Sequence, residues 1–176
     1  MTGSWENGAA GPDETSMPPA LRGAAMADRV PFSITICGSL PADRLDELID
    51  IANSAGLSPT WDGGPLTVDH LPVGTPLKLH AHEVANGQID DIEDFCCHND
   101  LPFVRWSGAA PGSFPAEIVV WVGEGPRRSF TADDDEHVVL TTEEAEKVQS
   151  LDDLKEHFET GSYVPPPLEI VNPKSE

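Results

Sequence analysis

His80 and His82, in the stretch LKLHAHEV, are the pair best spaced for metal chemistry. On an extended strand, residues i and i+2 point the same way, so both imidazoles can approach one ion. Glu83 points to the other face and makes a poor third ligand. His98, Cys96, Cys97, Asp69 and His70 are the other donors in this part of the chain, and no spacing ties any of them to the pair. Zinc sites need three or four ligands and a supporting shell. His80 and His82 are therefore a weak metal candidate, beside the plainer reading of two histidines on the polar face of a half-exposed strand. No cofactor is expected.

The cysteines offer less. Cys37, Cys96 and Cys97 form no CxxC motif. Cys96 and Cys97 fall near the end of a predicted helix, where the dipole disfavours a thiolate. A Cys–His hydrolase built on Cys37 or Cys97 is a remote arrangement. GxSxG, Walker A, Rossmann-glycine and HExxH patterns are all missing from the sequence. Three cysteines, two of them adjacent, are a poor disulfide framework, which predicts a reducing, cytoplasmic setting.

The acids are better organised. Asp43, Asp46, Glu47 and Asp50 recur at i, i+3, i+4 and i+7, one face of one helix. Asp90, Asp91, Glu93 and Asp94 crowd a second helix, and Asp133, Asp134, Asp135 and Glu136 form a run in a loop. In all, 31 acidic residues face 10 basic ones, a formal net charge of −21. That field repels nucleic acid and anionic membranes. Like charges at helical spacing cost a few tenths of a kcal/mol per pair, and few lysines or arginines offset them. Solubility is the bland explanation of such a surface. The sharper one is a partner with a basic groove.

The elements that place these residues follow from periodicity. Residues 1–29 show neither period and predict a disordered leader. A single α+β domain is predicted over 30–164, followed by an extended proline-rich tail over 165–176. Val30 to Cys37 alternates as a half-buried strand. Leu45, Leu48, Ile49 and Ala52 predict a helix over 41–55, closed by Gly56, and Leu57 to Trp61 a second strand. Leu77 to Val84 is the next strand, and Asn86-Gly87 a turn. Ile89, Ile92, Phe95 and Cys96 mark the second helix, and Leu101 to Trp106 the strand after it.

The two halves match. Leu45, Asp46, Glu47, Leu48, Asp50 and Leu57 meet Ile89, Asp90, Asp91, Ile92, Asp94 and Leu101 at a constant spacing. Trp61 and Gly63 meet Trp106 and Gly108 after one added residue. This duplicated order, βαββαβ, predicts a ferredoxin-like core. A hairpin from Ala116–Val122 and Arg127–Thr131 extends it, then a short strand over 137–140. Helices over 143–149 and 151–159 follow, capped at Thr141 or Thr142.

The expectation is an acidic inhibitor or nucleic-acid mimic that occupies the basic groove of a nucleic-acid-binding protein or complex. Anti-restriction and anti-CRISPR proteins are the analogues in size, charge and lack of catalytic motifs. The twelve acids named above are its expected contact residues. The alternatives are a small non-catalytic regulatory or interaction module, and a metal-dependent enzyme using His80 and His82. The module would bind its partner, or a second copy of itself, through an apolar sheet edge near Val119–Val122. No run of apolar residues reaches membrane-span length.

Overall fold

The structure is a computed structural model and describes residues 27–173. Nearly all of the predicted leader lies outside the described residues. The fold is mixed α+β, with a five-stranded antiparallel sheet and four α-helices among the described residues.

The alternation at the start of the core becomes β1 (Arg29–Ile36), with Phe32, Ile34 and Ile36 fully buried. The chain then enters β2 (Gly38–Pro41), a 3₁₀ turn over Ala42–Arg44, and α1 (Leu45–Ser54). Gly56 ends this helix at φ +71°, a conformation glycine adopts without steric cost. β3 (Leu77–Ala85), α2 (Asp90–His98) and β4 (Phe103–Ser107) follow. β5 (Ala116–Trp121) and β6 (Arg128–Ala132) form the predicted hairpin. α3 (Thr142–Lys147), α4 (Leu151–Gly161) and β7 (Leu168–Val171) complete the chain.

Strand order in the main sheet is β3-β1-β4-β5-β6. α1 and α2 lie side by side on one face. Leu48 and Ala52 of α1 and Ile92 and Cys96 of α2 are completely buried, in one core with Phe32, Ile34, Leu79 and Phe103. Burying side chains of this size contributes about 1.5–3 kcal/mol each for the large ones. α4 packs on the opposite face at the β5–β6 end, where a Cβ on Gly161 would come within 2.5 Å of Val138. β7 pairs in parallel with β2, and Leu168 joins the main core, so the proline-rich tail is extended and bound to the domain over Leu168–Val171.

Three expectations need correction. Leu57–Trp61 is not a strand: the segment makes one antiparallel bridge, Ser58 to His80. Pro59 has no N–H for a ladder, and the Ser58 hydroxyl turns back to the carbonyls of Gly63 and Gly64 at 2.9 and 2.7 Å. Residues 137–140 likewise contribute only a bridge, Val138 to Ala132. β5 is also not an edge: β4 and β6 pair with it on either side, and Val119 and Val120 are buried. The apolar run marks the interior of the sheet, so no docking edge exists at Val119–Val122.

Candidate functional site

α1 and α2 both need an apolar face against the sheet, and that requirement turns their polar faces outward together. Asp43, Asp46, Glu47 and Asp50 are exposed, as are Asp90, Asp91 and Asp94. The two rows meet in grooves between the helices. Asp50, Asp90 and Asp91, with Glu83, border a cleft of about 600 Å³ whose walls include Ile51, Ala55, Val84 and Ile89. Glu47, Asp91 and Asp94 border a second of about 380 Å³, with Arg44, Phe95 and His98. Arg44 is the single lysine or arginine within these two helices and the turn before them. Its guanidinium lies 2.8 Å from Glu47.

Glu93 does not belong to that surface, which corrects the expected contact set. Its side chain turns inward and is only 4% exposed. Arg105 Nε donates to Glu93 Oε1 at 3.0 Å, and Arg127 Nη1 to Oε2 at 3.1 Å. Arg105 Nη1 also lies 2.8 Å from Glu117 Oε2 and donates to the Gly87 carbonyl and the Ser107 hydroxyl. Arg127 Nη2 donates to Asp94 Oδ1 at 2.6 Å. Burial pushes the Glu93 carboxyl up from its ordinary value, against the pull of Arg105 and Arg127. With both carboxylate oxygens held by guanidinium groups, Glu93 functions as an internal anchor of α2 to β4. Neither arginine was picked out by spacing. The signal was in the duplication: Glu93 stands where the first copy has Ile49, a core-facing position.

The turn that receives Arg105 is Asn86-Gly87, with φ of +54° and +64° at its two residues. Asparagine and glycine tolerate that left-handed geometry. A Cβ on Gly87 would meet Ser107 at 2.6 Å, so only glycine lets the turn's carbonyl approach the guanidinium.

The Asp133–Glu136 run lies on the other face of the sheet, away from α1 and α2. Glu136 reaches Lys78 at 2.8 Å, and the Asp133 carbonyl accepts from the Trp106 indole. Asp133 Oδ1 accepts from the N–H groups of Asp135 and His137. The His137 N–H is the main cause holding the Asp133 carboxyl below its ordinary value. These bonds make the run a self-capped turn. Asp133, Asp135 and His137 each offer a ligand atom within 4.8 Å of the others, but the Asp133 carboxylate is already engaged in the turn. Asp134 and Asp135 are exposed there. The twelve expected acids therefore divide: seven share the α1–α2 face, one is internal, and four lie on the opposite side.

His80 and His82 do share a face of β3, as alternation requires. Trp61 stacks on both, with ring centroids 4.6 Å from His80 and 5.2 Å from His82. His82 Nε2 sits 3.2 Å from Asp62 Oδ1. His80 Nδ1 is buried with no hydrogen-bond partner among the described residues. Burial and Lys78 lower the His80 pKa, opposed by Glu136. Asp62 reaches His82 alone, and among the described residues no third histidine, cysteine or carboxylate comes within ligand distance of both histidines together.

All three cysteines are free, and burial pushes Cys37 and Cys96 up from the ordinary thiol value. Neither is poised as a nucleophile. No helix among the described residues is long and apolar enough to cross a membrane. No family model matches the chain, and no curated protein or solved structure shows significant similarity to it.

Proposed function

We propose that this protein is an acidic inhibitor that presents the α1–α2 face to a basic groove, in place of the nucleic acid that groove binds. One observation carries the reading: seven exposed carboxylates share the face of two helices packed antiparallel on a common core, and five of them, Glu47, Asp50, Asp90, Asp91 and Asp94, border shared grooves. Rigid presentation matters because an anion array tied to a core loses little further entropy on binding. Complementary charge of this density supports fast, salt-sensitive association. We also infer that the core is a ferredoxin-like unit whose second strand has shrunk to the Ser58 bridge. Support comes from the antiparallel order of Ser58, β3, β1 and β4.

The experiment is capture of a partner from native lysate on the immobilised full-length chain, followed by elution with salt and with duplex DNA or RNA. Release by either nucleic acid, and loss of capture on reversing Asp46, Asp50, Asp90 and Asp91, support the reading. Capture that persists at one molar salt and survives those reversals contradicts it.

A further inference from the structure

Past the helices, the α1–α2 side of the sheet opens at the end of β4, β5 and β6 where Ser107, Glu117 and Thr131 pair. There it forms a separate cleft of about 440 Å³, within the usual size of small-molecule sites. Its floor is made by alternate residues of three adjacent strands: Ser107 of β4, Glu117 of β5, and Ser129 and Thr131 of β6. Asn86 and Gln88 close one end, Glu144 the other, and Phe114 and Pro115 supply an apolar wall.

The chemistry of this lining is selective. It contains no lysine, arginine or histidine. Arg105 reaches it only from beneath, where its Nη1 is already shared among Glu117, Ser107 and the Gly87 carbonyl. Both carboxylates are fixed in place. Glu117 is held by Arg105 on one oxygen and by the Ser129 hydroxyl, at 2.8 Å, on the other. Glu144 accepts from the Thr131 hydroxyl at 3.0 Å and the Thr141 N–H at 2.8 Å. Partial burial works to raise the Glu144 carboxyl, and the Thr141 and Thr131 bonds outweigh it, so the group stays ionised near neutrality. Each oxygen keeps a second lone-pair site. Ser107 is only 3% exposed, and its hydroxyl accepts from Arg105. Among the described residues its own hydrogen has no acceptor.

We propose that this cleft binds a small protonated amine bearing hydroxyl groups, such as an amino alcohol or amino sugar. The ammonium group sits between the Glu117 and Glu144 carboxylates, a ligand hydroxyl accepts from Ser107, and the carbon body lies against Phe114. An anionic ligand is excluded by the two fixed carboxylates, and an uncharged polyol lacks their attraction. The site is independent of the α1–α2 face.

Amide NMR on the isotope-labelled full chain tests it, titrating glucosamine and ethanolamine beside glucose and acetate at about 150 mM salt, where diffuse surface attraction is screened. The expected result is a saturable shift confined to Ser107, Glu117, Ser129, Thr131 and Glu144 for the amines alone. Glu144→Gln and Ser107→Ala each weaken it about tenfold, while Glu143→Gln on the same helix leaves it unchanged. Each variant's spectrum outside the cleft reports its folding, and Ser107→Ala tests the site even where Glu144→Gln disturbs the α3 cap. The proposal is overturned by shifts spread over the α1–α2 acids, by equal binding of glucose or acetate, by no saturation, or by full affinity in both variants.

Discussion

Arg105 donates to Glu93 at 3.0 Å, and each side chain is only 4% exposed. This pair fastens α2 to the sheet, and so fixes one of the two acidic rows relative to the other. Breaking a buried pair from one side leaves an uncompensated charge, at a cost of about 3–5 kcal/mol. Arg105→Met leaves Glu93 with Arg127 alone and takes the ion-pair partner of Glu117, so its urea midpoint falls, by at most that equivalent. Glu93→Gln, which keeps the shape and Arg127 nearby, costs less. Equal stability of Arg105→Met and the parent protein contradicts the anchoring role.

Gly87→Ala tests the turn beneath that pair. The residue sits at φ +64°, and the added methyl would fall 2.6 Å from Ser107. The backbone term alone is about 1–2 kcal/mol, and displacement of Ser107 and Arg105 adds to it. Thermal melting is expected to show a larger loss for Gly87→Ala than for Gly125→Ala. Gly125 has φ +71° but nothing within 4 Å of a Cβ.

His80 makes stability depend on pH. Its folded pKa lies below the ordinary 6.5, so the unfolded chain binds the proton more readily. The contribution is fully present above 6.5 and is lost as pH falls through the folded value. Lys78 and His82 push the His80 ring the same way as burial, and Glu136 opposes them. Urea midpoints measured between pH 8 and pH 5 should decline in the parent more steeply than in His80→Gln. Trp61 fluorescence should fall over the same range, since a protonated imidazole quenches a stacked indole. Identical slopes in both proteins contradict this assignment.

The exposed acids oppose the fold they sit on. Asp46 and Asp50 are i, i+4 neighbours of like charge, as are Asp90 and Asp94, and such pairs cost a few tenths of a kcal/mol each. Asp46→Asn with Asp50→Asn should therefore raise the melting temperature slightly at low salt and leave it unchanged at high salt. A loss of stability in that double variant means that these side chains support the fold instead.

Much of this arrangement could be read from residue order. Period-2 alternation placed β1 and β3 and period-3.6 spacing both core helices, because burial on one face leaves a strong imprint on residue type, while the β-branched run of Ala116–Val122 placed β5. The repeat holds where the core demands it: Leu48 and Ala52 match Ile92 and Cys96, all completely buried. It fails after α1, where Trp61 lies in a turn and Trp106 in a strand, since local turn bonds at Ser58 outcompeted the ladder. The inward turn of Glu93 was hidden because acids look alike on paper, whether solvated or paired with an arginine twelve residues away. The cleft over β5 and β6 was equally hidden, since Ser107, Glu117, Thr131 and Glu144 come together only through strand register.

The proposed role of the α1–α2 acids is to bind where nucleic acid would. Its most direct measurement is competition: the partner captured on the full chain is challenged with duplex DNA or RNA at about 150 mM salt. Displacement should rise with nucleic-acid concentration, and a chain carrying Asp46→Lys, Asp50→Lys, Asp90→Lys and Asp91→Lys should capture nothing. A partner that stays bound against excess nucleic acid, and binds the reversed chain equally well, contradicts it.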